Sequence, residues 1–122
     1  MSDKWMNTKE YFVTYAIMIN AAQHFGFCTY QEIARANGWQ MRGSYMGKLI
    51  GEVVGLISKN ELDQDRPMLS AIVVGVTGKP SEGFFNWARE LGVLSAGEDE
   101  WAFWRNECEK VYEAWKIPYR KE

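Results

Sequence analysis

Residues 29–58 read TYQEIARANGWQMRGSYMGKLIGEVVGLIS, and the order of elements in this chain turns on them. Thr29 followed three residues later by Glu32 forms a capping box, in which the hydroxyl accepts from the N3 amide and the carboxylate reaches back to the cap amide. Ile33, Ala34 and Ala36 give the short helix behind it an apolar side, and Gly38 stops it. After the turn Gly38-Trp39-Gln40-Met41, the residues Met46, Leu49, Ile50, Val53, Val54 and Ile57 recur at three- and four-residue steps. That period predicts a longer helix over 44–58. Gly47, Gly51 and Gly55 fall at four-residue steps on the same helix, each costing about 1 kcal/mol of helix propensity relative to Ala. A close approach of another element to that ridge would account for them.

Working outward, residues 8–25 predict a first helix whose apolar face is Phe12, Tyr15, Ala16, Ile19, Ala22 and Phe25, closed by Gly26. Residues 61–65 read as a polar linker. Met68, Leu69, Ala71, Ile72, Val73, Val74 and Val76 then change the period to that of a β-branched strand. Thr77-Gly78-Lys79-Pro80 is turn chemistry, and a short return segment at Gly83-Phe84 completes a β-wing. Residues 84–91 predict a short helix ended by Gly92. Residues 98–115 predict a long one, with Glu98, Asp99 and Glu100 at its positive N-terminal end and Trp101, Trp104, Cys108, Val111, Tyr112 and Trp115 as its apolar face.

The predicted class is α+β and mainly helical: a winged helix-turn-helix core over 8–84 with a small β-wing, and a C-terminal helical extension over 85–122, in one domain. Two stretches carry a family resemblance. Thr29-Tyr30-Gln31-Glu32-Ile33-Ala34 with Gly38 resembles the "TYGEIA…G" stretch of alkylguanine-DNA alkyltransferases and alkyltransferase-like proteins. Pro67-Met68-Leu69-Ser70-Ala71-Ile72-Val73-Val74 stands where that family has Pro-Cys-His-Arg-Val-Val, with Gly78 and Gly83-Phe84 after it. Met68 occupies the place of the alkyl-accepting cysteine and no His-Arg follows. The resemblance therefore implies the fold and a DNA contact through the third helix and the wing, and not alkyl transfer. The stretch from Pro67 to Phe84 also looks like a pattern in uncharacterised phage and mobile-element proteins.

The composition bounds the function. With 14 basic and 16 acidic side chains the formal charge is −2, a weak footing for nonspecific nucleic-acid binding, which rests on basic patches. The acidity lies toward the C-terminal end, and residues 29–79 are about neutral. Cys28 and Cys108 have no metal spacing and read as buried free thiols in a reducing cytosol. No apolar run approaches the ~20 residues of a membrane span, which points to a cytoplasmic protein with no membrane association.

Chemical candidates reduce to structural readings. His24 is the single histidine and sits at a helix end without partners for base or metal work. Gly75, Gly78 and Gly83 lack the Lys-Ser/Thr of a P-loop and read as turn glycines. Glu98, Asp99 and Glu100 read as helix N-terminal charges and not as metal ligands. The expectation is a non-enzymatic protein with no cofactor and no metal. Its leading partner is double-stranded DNA, bound by Arg42, Ser44, Tyr45 and Lys48 of the third helix and Lys79 of the wing tip. The alternative is a protein-interaction module, an inhibitor or adaptor and possible homodimer, using Trp39, Trp87, Trp101, Trp104 and Trp115. A small-ligand or nucleotide pocket is a third reading.

Overall fold

The computed structural model describes residues 4–40 and 43–118, and for residues 43–45 the backbone alone. In chain order the elements are α1 (Lys9–Gln23), β1 (Cys28–Thr29), α2 (Tyr30–Ala36), α3 (Gly43–Asp63), a 3-10 turn (Leu69–Ile72), β2 (Val73–Val74), α4 (Glu82–Glu90) and α5 (Glu100–Trp115). The fold is mainly helical with one small sheet. Among the described residues no helix is long and apolar enough to cross a membrane.

The capping box at Thr29 forms as the sequence predicts, with Glu32 N donating to Thr29 Oγ1 at 3.1 Å and Thr29 N to Glu32 Oε1 at 3.1 Å. Gly38, at φ +73°, turns the chain out of α2. The predicted stripe of α3 faces inward, with Ile50, Val53 and Ile57 wholly buried.

Four expectations need correction. Phe12 and Phe25, assigned to the buried face of α1, are 56% and 63% exposed. The buried line of that helix is Tyr11, Thr14, Met18 and Ala22, because Thr14 lies inside as acceptor for the Asn37 side chain at 3.0 Å. Phe25 follows the helix with φ +57° and swings outward. Residues 61–63, assigned to a linker, continue α3.

Of the strand expected over 68–76, only Val73 and Val74 form a paired strand, after the 3-10 turn. Its partner is β1 in parallel, Cys28 opposite Val73 and Thr29 opposite Val74, a pairing the sequence did not announce. Finally, the return segment of the wing is helical: Gly83 and Phe84 lie in the first turn of α4. A run buried on every side, as Met68, Leu69, Ala71, Ile72 and Val73 are, has no solvent face to alternate with. Apolar content alone cannot then distinguish a strand from a tight helix.

The 3-10 turn lies at the centre, packed on α1, α3 and α5, and α2 packs on α1 and α3. Glu61, near the end of α3, is wholly buried. Arg66 donates to both of its oxygens at 3.0 and 2.8 Å, Trp115 Nε1 donates at 3.0 Å, and the Tyr15 hydroxyl donates as well. One carboxylate thus joins α1, α3 and α5, while the Arg66 guanidinium stacks 5.2 Å from the Trp115 ring centroid. Burial and the hydrogen bond to Glu61 push the Tyr15 hydroxyl up to about 12.

Arg66→Ala leaves this carboxylate buried without its counter-ion and is expected to cost about 3 kcal/mol, the usual scale for breaking a buried pair from one side. The urea-unfolding midpoint checks it. A loss below about 0.5 kcal/mol, the level of a surface pair, would show that Glu61 does not hold the three helices together.

Candidate functional site

One side of α3 is committed to the core and the other is bare. Met46, Ile50, Val53 and Ile57 are buried, whereas Gly47, Lys48 and Gly51 are exposed. A Cβ built on Gly47 or Gly51 would meet nothing within 4 Å. The glycine ridge expected to admit a neighbouring element of the fold therefore faces open space in its first two steps. At the third step the chain does close in, and Trp87 of α4 donates from Nε1 to the Gly55 carbonyl at 2.8 Å.

Between the ridge and α4 lies a groove of about 700 Å3. Tyr30, Val54, Phe84 and Trp87 supply its apolar walls, Ser70 lies on its floor, and Lys48, Glu52, Ser81, Asn86 and Glu90 edge it. Glu52 is held by the Trp5 indole, which donates to Oε1 at 3.0 Å, and Lys4 Nζ stands 3.6 Å away. The indole hydrogen bond, followed by the charges of Lys4 and Lys48, lowers the Glu52 pKa. The acid that opposes an anionic partner on α3 is thereby matched from within the fold.

The five residues proposed for DNA separate as follows. Lys48 is exposed on the bare side of α3, at the edge of the groove. Lys79 is exposed in a tight turn closed by Gly75 N to Lys79 O and Gly78 N to Gly75 O, both 2.9 Å. Its ammonium stands 5.7 Å over the Trp101 ring, and Ser81, two residues on, borders the same groove as Lys48. Arg42 lies outside the described residues, and so do the side chains of Ser44 and Tyr45.

Of the five tryptophans proposed for a protein partner, four are half-buried. Trp39 packs edge-on against Trp5 at 5.6 Å. Trp87, Trp104 and Trp115 spend their indole N–H groups on Gly55, Ala71 and Glu61 respectively. Trp101 is 41% exposed. It continues a band of touching rings that runs from Phe25 through Tyr112, Phe27 and Trp104, and it packs in turn on the buried Phe85. Phe25 was assigned to the buried face of the first helix, and Phe27 lies between predicted elements, where no period marks it.

The remaining polar candidates have structural places. Burial pushes the Cys28 and Cys108 thiols up to about 12, so neither supplies a thiolate at neutral pH. His24 is the C-cap of α1, its Nδ1 2.8 Å from the Asn20 carbonyl. Asp99 caps α5, accepting from Ala102 N at 3.2 Å. Among the described residues no group of three or more His, Cys, Asp or Glu is placed to hold a metal ion.

No protein-family model, no curated protein and no solved structure matches this chain.

Because nothing faces Gly47 or Gly51, Gly47→Ala and Gly51→Ala are each expected to stabilise the protein by up to about 1 kcal/mol. Gly38→Ala, forced to adopt φ +73°, should cost about 1 kcal/mol. Thermal unfolding of the three variants checks both signs.

Proposed function

We propose that the chain is a non-enzymatic, cytoplasmic DNA-binding protein of winged helix-turn-helix type, with α2 and α3 as the helix-turn-helix and the 75–79 turn in the position of the wing tip. The observation that carries this reading is the exposure of Gly47, Lys48 and Gly51 along one side of α3. A helix entering the major groove needs a side uncovered by its own protein. Exposed Gly47 and Gly51 let a sugar-phosphate backbone come close to that helix without meeting a side chain.

Lys48 supplies a phosphate contact from this face, and Lys79 a second from the turn beside it. Arg42, Ser44 and Tyr45 precede them in sequence at the start of the helix. The capping box fixes the direction of α2, and α2 packs on α3, so the bare face is presented by a braced pair of helices.

A specific observation favours a second reading. Phe25, Phe27 and Trp101 are 63%, 48% and 41% exposed and are joined through Tyr112 and Trp104 into one aromatic band. Aromatic residues of this kind anchor protein interfaces. A partner protein, or a second copy of this chain, would meet the band and not α3.

Fluorescence anisotropy with a labelled random-sequence duplex separates the readings. With few phosphate contacts the logarithm of the binding constant should fall with that of salt concentration with a slope of about −2 to −4. Lys48→Ala should reduce the slope by about 1 and weaken all sequences alike, and Lys79→Ala should do the same. Absence of binding at low salt would discard the DNA reading and leave the aromatic band as the interface.

A further inference from the structure

The exposed side of α3 carries an acid that would work against a phosphate. Lys48 and Glu52 stand four residues apart and so share one face of the helix. Opposite charges at this spacing pair with each other, and an ammonium captured by Glu52 would be lost to an anionic partner. The fold gives Glu52 other company. Trp5 donates from Nε1 to its Oε1 at 3.0 Å, and Lys4 Nζ stands 3.6 Å from the same oxygen. Glu52 is thereby half-buried while Lys48 stays exposed.

Trp5 is itself fixed from two sides. Its carbonyl accepts from Thr8 N at 3.1 Å and from Thr8 Oγ1 at 2.7 Å. The same hydroxyl is the N-cap of α1, accepting from Tyr11 N at 3.1 Å. The Trp5 ring meets Trp39 edge-on, centroids 5.6 Å apart, where the chain leaves α2 for α3. The indole N–H thus reaches Glu52 from a ring whose place is set by the start of α1 and by that turn. Packing alone would not require the N–H to find this acid, one helical turn from Lys48.

We infer, on the DNA reading of α3, that Trp5 is a positioning residue for Lys48: by holding the Glu52 carboxylate it keeps the ammonium available to a phosphate of the duplex. Trp5 acts through Glu52 and needs no contact with DNA of its own.

Fluorescence anisotropy with the labelled random-sequence duplex over a series of salt concentrations tests this. Trp5→Phe keeps a ring against Trp39 and gives up the N–H. Released, Glu52 pairs with Lys48, so the salt slope should become shallower by about 1, the loss of one phosphate contact. Affinity should fall about fivefold, the scale of one hydrogen bond. Glu52→Gln, whose side-chain carbonyl still accepts from the indole, should keep the parent's slope. In the double variant Trp5→Phe, Glu52→Gln no carboxylate remains to capture Lys48, and the parent's slope should return.

A ring that served only to pack residues 4–8 would leave the double variant as impaired as Trp5→Phe. That result overturns the inference, and so does a Trp5→Phe protein that binds with the parent's slope. A parent that does not bind the duplex even at low salt overturns the DNA reading as well, which separates the two failures.

Discussion

The backbone of residues 68–74 has to be hydrogen-bonded in a place water does not reach, and the surrounding helices are arranged to do it. Met68, Leu69, Ala71 and Ile72 are wholly buried, too crowded on all sides for a regular sheet. Met68 N donates to Glu107 of α5 at 2.9 Å, and Ser70 N to Ser58 of α3 at 2.9 Å. The Ala71 carbonyl accepts from Trp104 Nε1 at 2.8 Å and from the Cys108 thiol at 3.5 Å. Val73 and Val74 pair with β1. These bonds tie α3, α5 and β1 to the segment, and an unpaired group at this depth would cost about 1–3 kcal/mol. The polar residues of α3 and α5 that look out of place on apolar faces, Ser58 and Glu107, are explained by this requirement.

Anchoring α3 in this way leaves its other side free. Ser58 and Glu61 fasten the C-terminal half, to the central segment and to α1 and α5. The N-terminal half offers Gly47, Lys48 and Gly51 to the outside over a rigid inner stripe. The glycines lower the helix's own propensity, and the packing of Ile50, Val53 and Ile57 compensates. The DNA reading draws on that division: a duplex would meet the outer edge of the exposed ridge.

The helices were legible because each depends on local signals. The capping box at Thr29, the stripe from Met46 to Ile57, Gly92 after α4 and the acids before α5 all announce elements that form within a few residues of where they are expected. What escaped the sequence is non-local. The pairing of Cys28–Thr29 with Val73–Val74 joins strands too short to show a period, and the burial of Glu61 depends on Arg66, Tyr15 and Trp115 converging from separate elements. The face of α1 was misread because a buried Thr14 and an exposed Phe12 invert the usual preference. The groove was visible only as three glycines at four-residue steps. Their spacing identified a ridge, and the open space in front of it comes from where α4 docks.

The claim on which the functional account rests is that the outer face of α3 is the working surface. Chemical-shift mapping of the 15N-labelled chain with an unlabelled random-sequence duplex at low salt tests it most directly. The account predicts that the largest shifts fall on Gly47, Lys48 and Gly51, with lesser ones at Gly78 and Lys79, and that Phe25, Phe27 and Trp101 stay unchanged. Shifts concentrated on those aromatic residues, or a spectrum untouched by the duplex, would contradict it.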